Sequence, residues 1–185
     1  TETTTTVPPA SLTTTVAPGS TATPATTAAP TATTADPTTT TTEALPWTFI
    51  AELSGTEVVP PVETLASGTA TFIIEADGAK GYFTLSVSNM TDVIASRVHE
   101  GEPGVGGQGL LILYPGPTLE GPVDGVIAQG HFYASALIGS LTGDTLADLA
   151  AMFQSGRAYV NVGTVQNPKG EIRGQIRWEE SEAGE

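Results

Sequence analysis

The feature that most constrains the fold of this chain is an alternation of apolar and polar residues that begins at Trp47. Phe83, Leu85 and Val87 alternate with hydroxyl-bearing residues, which predicts a strand with one buried and one exposed face. Because such runs are short and are separated by Gly, Pro and Asn turns, they predict an all-β sandwich or barrel. We expect eight strands, at residues 49–53, 70–74, 83–87, 93–99, 110–114, 126–134, 158–162 and 171–178.

One short helix is predicted between the later strands. Thr145 and Asp148 have the spacing of a capping box, and Gly156 stands where a helix would end. Apolar side chains recur with helical spacing between them, at Leu146, Leu149, Ala150 and Phe153. We therefore expect an amphipathic helix that covers one end of the β-structure.

Residues 1–46 differ in composition from the rest of the chain. They hold twenty threonines, seven prolines and nine alanines, and they contain no Lys or Arg. Such a segment cannot bury enough apolar surface to offset the entropy of ordering it, and Thr-rich sequence with interspersed Pro is typical of O-glycosylated stalks. The sequence therefore divides into a Thr/Pro/Ala-rich stalk or donor segment at 1–46, a β-domain at 47–178 and an acidic C-terminal tail at 179–185.

Glycosylation is expected at clustered threonines and at one asparagine. Asn89 begins the sequon Asn89-Met90-Thr91, on a loop predicted directly after a strand. The alternative for the Thr-rich segment is an unmodified flexible linker. The threonines that we single out are Thr13, Thr14, Thr15, Thr38, Thr39, Thr40, Thr41 and Thr42.

A second use of the N-terminal segment is assembly. Leu12, Thr14 and Val16 would share one face of an extended segment, and threonine is a good strand former. The segment could therefore add as a strand to an open sheet edge on a neighbouring copy of the chain.

Charge and cysteine content exclude several classes of protein. The formal net charge is −14, with only six basic residues, so nucleic acid and anionic membrane surfaces are not expected as partners. The chain has no cysteine, which excludes disulfides and thiolate sites. No apolar run approaches the ~18 residues needed to span a bilayer. Because the first residue is Thr1 rather than Met, we expect an exported, extracellular or cell-surface chain whose signal has been removed.

The sequence shows no pattern of catalytic residues. It lacks a Gly-x-Ser-x-Gly elbow, and its two histidines stand in no local motif that would orient a general base, so no enzyme is predicted. His99 and His131 with a carboxylate are weak candidates for a copper or zinc site. The reading that we favour for His99 is a strand end that hydrogen-bonds a turn. Arg173 and Arg177, in the last strand, are expected to pair with carboxylates on neighbouring strands. The alternative is that they dock onto an acidic patch of another copy of the chain.

Several motifs, in order along the chain, resemble the CHRD (chordin-type) domain family. They are residues 51–62 (AELSGTEVVPPV), 66–70 (ASGTA), 98–101 (VHEG), 156–164 (GRAYVNVGT) and 167–176 (NPKGEIRGQI). The resemblance implies an antiparallel immunoglobulin-like β-sandwich of secreted and surface proteins, without an established catalytic activity. Two positions that are commonly His in this family are Arg97 and Gly163 here.

We therefore expect an all-β fold, an immunoglobulin-like sandwich with one short helix, preceded by an extended Thr-rich N-terminal segment. The predicted function is that of a secreted or cell-surface structural protein, which self-assembles into a glycosylated filament or surface layer through that segment. The alternatives are a monomeric stalked adhesion or ligand-binding module and, third, a copper- or zinc-binding protein.

Overall fold

The computed structural model describes residues 46–179, which form an antiparallel, mostly β fold with one α-helix. No helix in this range is both long and apolar enough for a membrane crossing. In chain order the elements are β1 (Trp47–Ser54), β2 (Ser67–Ile74), β3 (Gly81–Glu100), β4 (Gly109–Tyr114), β5 (Leu119–Phe132), α1 (Leu146–Gln154), β6 (Ala158–Thr164), β7 (Ile172–Gln175) and β8 (Arg177–Trp178).

The long strand β3 joins all parts of the sheet. Its first half pairs with β2 on one side and β5 on the other, and its second half pairs with β6 and β4. Because β2 also pairs with β1, and β1 with β7, a ring of five strands closes in the order β3, β2, β1, β7, β6. This corrects the predicted immunoglobulin-like sandwich: five of the eight strands close into a barrel, since the segments predicted as two strands, 83–87 and 93–99, are a single strand.

Two residues with positive φ allow β3 to bend without ending. Asn89 has φ 55° and Asp92 has φ 52°, a region that asparagine and aspartate tolerate better than other side chains. The Asp124 carboxylate accepts a hydrogen bond from the Asn89 N–H at 2.9 Å, and the Asp92 carboxylate accepts one from the Gly121 N–H at 2.7 Å. The predicted loop at the Asn89 sequon is therefore wrong. The sequon lies in the bent part of β3, with Asn89 exposed.

The predicted helix is confirmed, and its apolar face belongs to the barrel core. Thr145 and Asp148 form the capping box, with the Asp148 carboxylate 2.9 Å from the Thr145 N–H. Phe153 packs edge-on against Phe49 in β1, with ring centroids 5.1 Å apart, and lies 5.2 Å from Phe72 in β2. The helix thus anchors the aromatic centre of the core.

The ends of the described chain lie next to each other. Phe49 and Ile50 of β1 pair with Trp178 and Arg177 of β8, and the Glu179 N–H donates to the Thr48 carbonyl. The ring of Trp178 also meets Phe49 edge-on at 5.2 Å. The last short strand therefore returns to the first.

Replacing Phe153 with Ala should destabilise the fold by about 3–5 kcal/mol, because it leaves a cavity next to the rings of Phe49 and Phe72. Urea unfolding followed by tryptophan fluorescence measures the change. Gln154→Ala is the matched control, since Gln154 is the exposed neighbour on the same helix and its loss should have little effect. Equal destabilisation by the two changes would show that the helix does not anchor the core.

Candidate functional site

A stack of three side chains lies where β3, β6 and β7 run side by side. His99 at the end of β3 is the cross-strand partner of Tyr159 in β6, and their rings are parallel to within 10° with centroids 5.2 Å apart. From β7, on the other side of β6, the Arg173 guanidinium lies 3.5 Å from the centre of the Tyr159 ring. A buried cation in contact with an aromatic face is a favourable arrangement.

Arg173 is 3% exposed, and its contacts differ from those predicted. Its guanidinium donates to the backbone carbonyl of Glu102 at 2.9 Å, so its partners are a carbonyl and a ring instead of a carboxylate. Burial lowers the pKa of Arg173 from its ordinary value, against the opposing effect of Tyr159 and Glu57. The prediction for Arg177 is confirmed, because its guanidinium lies 3.2 Å from the Glu52 carboxylate.

The glycine-rich loop at residues 101–108 folds onto this stack. The His99 Nδ1 atom is 3.0 Å from the Gly107 carbonyl, and the Gly107 N–H donates to the Tyr159 hydroxyl at 3.2 Å. Because a carbonyl can only accept, Nδ1 carries the proton and the neutral ring has its free lone pair on Nε2. His99 thus ends a strand and bonds a turn, the reading favoured from the sequence. Burial lowers the pKa of His99, and the charges of Arg97 and Arg173 lower it further.

Glu100 directly precedes this loop, and it hydrogen-bonds Gln108, the last residue of the loop. Its carboxylate lies 3.0 Å from the Arg157 guanidinium and accepts hydrogen bonds from Ser140 at 2.8 Å and from Gln108 at 3.4 Å. The hydrogen bonds from Ser140 and Gln108, helped by the charge of Arg157, lower the pKa of Glu100. These contacts hold residues 101–108, which we call the loop platform, in a defined position on the surface.

The structure does not bring the two predicted metal ligands together. His131 in β5 pairs with Tyr82 at the start of β3, whereas His99 lies seventeen residues further along that strand. The His131 ring instead meets Tyr133 edge-on at 5.5 Å. Within residues 46–179 no three His, Asp or Glu side chains are grouped so that they could hold a metal ion. The predicted threonine sites and the segment with Leu12, Thr14 and Val16 lie outside the described residues.

Two concave surfaces near the stack differ in charge. The larger, of about 780 Å³, is lined by the carboxylates of Glu52, Glu57 and Glu102, together with Arg177 and Gln175. The smaller, of about 260 Å³, adjoins His99 and has basic side chains and no carboxylate in its lining. The two surfaces would therefore attract ligands of opposite charge.

The strand β5 presents an open backbone edge, because in the described chain it pairs with β3 alone. Its first half carries Pro122, two glycines with positive φ and several shifts of register, all of which hinder the addition of another strand. Residues 128–132, which we call the regular run, pair with β3 one by one without a shift. This run is the part of the edge that is best suited to receive a further strand.

The comparisons with known proteins agree with the motif resemblance. The family model described as the CHRD domain matches residues 49–176, a range that includes the barrel, the helix and the loop platform. No curated protein and no solved structure matches the chain.

The stability of the folded chain should depend on His99 near neutral pH. Because the pKa of His99 is below its ordinary value of 6.5 in the folded chain, the unfolded chain binds more protons between the two values. This contribution is complete above pH 6.5 and is lost as the pH falls through the folded-state pKa. Urea unfolding from about pH 7.5 to about pH 5 should show the loss, which His99→Phe should reduce because Phe keeps a stacking ring that does not titrate.

The control for this measurement is His131→Phe, which removes the other histidine and should leave the acid-dependent loss in place. If the free energy of unfolding falls equally in the wild-type chain and in His99→Phe, the stacked ring is not its cause.

The loop platform should tolerate an added methyl group at one glycine but not at its neighbour. A Cβ at Gly107 would lie 1.8 Å from the Glu100 carbonyl oxygen, whereas a Cβ at Gly106 would meet nothing within 4 Å. Gly107→Ala should therefore cost about 1–3 kcal/mol of stability and shift the Tyr159 ring resonances. Gly106→Ala should do neither, and thermal unfolding with NMR would reveal the contrary result.

Proposed function

Because the chain belongs to the CHRD domain family, we propose that it is an extracellular structural subunit which assembles with copies of itself through its N-terminal segment. The observation that carries the proposal is the open edge of β5 at the regular run. An exposed edge has unpaired N–H and C=O groups, so an extended segment of another chain can extend the sheet by backbone hydrogen bonding.

The regular run is the weakest point in the protection of the sheet. The other edge strand next to β3 is β4. Its edge is partly occupied, because the Leu110 carbonyl already accepts a hydrogen bond from the Ile138 N–H at 2.9 Å. Beside the regular run, Val126 is 56% exposed and Tyr133 is 44% exposed, so apolar surface is available to a strand that adds there. Backbone groups and apolar side chains therefore favour the same edge.

The donor in this proposal is the segment at residues 12–16. It has the same length as the regular run, and Leu12, Thr14 and Val16 would lie on one face of it when extended. No charged residue occurs between Glu2 and Asp36, so the donor adds no charge of its own to the repulsion between copies of net charge −14. Donor and acceptor are different surfaces, and a contact of this kind gives an open filament when it does not close into a ring.

The proposal also includes glycosylation, a location outside the cell and a spacing role for the N-terminal segment. Glycans on the threonines and on Asn89 would coat the assembly, and the chain would act outside the cell without catalysis and without a resident metal. Asn89 is exposed in β3, which supports its use as an acceptor. The N-terminal segment, extended at ~3.1 Å per residue in a polyproline-like form, would also space the barrels.

The second candidate is a monomeric stalked binding module. It is supported by three exposed cross-strand neighbours, Ile73, Tyr82 and His131, which form a row on the outer face of β2, β3 and β5. Exposed apolar and aromatic side chains side by side are a common basis for ligand contact. Copper or zinc binding has less support, because His99 and His131 would each act as an isolated ligand.

Deletion of residues 11–16 should abolish assembly, because it removes the donor segment. The matched control is deletion of residues 37–42, which removes six residues of similar composition but none of the larger apolar side chains. Analytical ultracentrifugation and negative-stain microscopy should show filaments for the full chain and for the control, and monomers for the first deletion. Monomers in all three samples would favour the stalked module.

The contact itself can be mapped with introduced cysteines, since the chain has none of its own. Chains with Thr14→Cys mixed with chains with Gln129→Cys should form a disulfide between copies under mild oxidation, because the proposal places the two segments side by side. Gln166→Cys, at an exposed turn, replaces Gln129→Cys in the control. Equal cross-linking in both mixtures would contradict the assigned edge.

A further inference from the structure

Four of the six basic residues are engaged by partners within the described chain. Lys80, Arg157 and Arg177 lie within 4.0 Å of carboxylates, and Arg173 is held by a ring and a carbonyl. The two other basic residues are Arg97 and Lys169, and neither has a carboxylate within 4.0 Å among residues 46–179. In a chain with twenty acidic residues, two cations without an acidic partner call for an explanation.

Both cations line the same small concave surface. This surface, which we call the basic cavity, has a volume of about 260 Å³ and lies between β3, β6 and the turn that follows β6. Arg97 and His99 come from β3, Asn161 and Gly163 from β6, and Lys169 from the turn. This volume is below the ~300–1,000 Å³ of pockets for drug-sized ligands, so the cavity has room only for a small ligand.

The shape of the basic cavity follows from cross-strand pairing. Gly163 is the partner of Ala95 and Asn161 is the partner of Arg97, so two small residues make a depression next to the long cationic side chain. The Asn161 side-chain amide donates to the Lys169 carbonyl at 2.9 Å, which holds the turn against the sheet. A Cβ at Gly163 would lie 3.1 Å from the Pro168 carbonyl oxygen, so a larger residue would crowd the turn.

The charge around the basic cavity is opposite to that of the chain as a whole. No carboxylate lines it, whereas Glu side chains line the cavities of about 780 and 420 Å³ on either side of Glu102. The positive charge of Arg97 also acts on His99, whose pKa it helps to lower. Geometry and electrostatics therefore agree on a local positive field.

We propose that the basic cavity binds a small oxyanion, with Arg97 and Lys169 as the charged contacts. Arginine presents a planar fork of N–H donors that fits two oxygens of a sulfate or carboxylate group, and lysine adds a point charge. The anion comes either from solution or from a carboxylate of the acidic tail at 179–185. The ligand chemistry is the same for both sources. The inference is independent of the assembly proposed above, since it uses neither β5 nor residues 1–46.

Equilibrium dialysis of the full chain against radiolabelled sulfate, at constant ionic strength, tests the proposal whether or not the chains assemble. We expect one sulfate per chain, with an affinity that falls by at least about tenfold in Arg97→Ala, because a hydrogen bond to a charged group is lost. Lys169→Ala should weaken binding as well. Lys80→Ala is the matched control, since it removes one positive charge at a distant ion pair and should leave sulfate affinity unchanged.

Equal sulfate binding by the wild-type chain and by Arg97→Ala would overturn the proposal, as would an equal loss in Lys80→Ala. Deletion of residues 180–185 separates the two sources of the anion. If sulfate binds more tightly after the deletion, the carboxylates of the tail compete for the basic cavity in the full chain. If the affinity for sulfate is unchanged, the ligand of the cavity is a free anion from solution.

Discussion

The continuity of β3 as a single strand, Gly81–Glu100, is the constraint on which the rest of the structure depends. Over twenty residues this strand pairs with four others, and its bend at Asn89 and Asp92 turns one sheet into a closed ring. Two hydrogen bonds stabilise the bend, because the carboxylates of Asp124 and Asp92 accept the backbone N–H groups of Asn89 and Gly121. The same strand carries Arg97, His99 and Glu100 at its end, so the platform, the aromatic stack and the basic cavity all inherit their positions from it.

Local signals in the sequence predict local structure well. The capping box and apolar spacing of α1 act within four residues of each other, and the alternation in the strands depends on the pleat alone. Closure of the barrel could not be predicted in this way, because it depends on two pairings between strands far apart in the chain, β3 with β6 and β1 with β7. The positive φ values that keep β3 continuous leave no pattern beyond an Asn and an Asp three residues apart, which is read more easily as a loop.

The candidate site shows the same division. His99 was found as a strand end, but its neighbours Tyr159 and Arg173 are separated from it by long stretches of sequence and meet only through register. One sequence signal was available for Arg173, namely a charged residue that stands between two uncharged residues, Ile172 and Gly174, in a predicted strand. His99 and His131, in turn, are drawn to opposite ends of β3 by topology, which no count of ligand types reveals.

The return of β8 to β1 has a mechanical consequence. In this antiparallel pair the start of β1 and the end of β8 lie at the same end, where Trp178 faces Phe49 and the Glu179 N–H bonds to Thr48. Tension applied between residues 47 and 178 would pull the two strands apart from that end. The hydrogen bonds between β1 and β8 would then break one after another, as in unzipping, and would not share the load as they do in shear. The barrel would therefore resist pulling poorly between its own two ends, and a fibre built from it would bear load best along a route that bypasses β8.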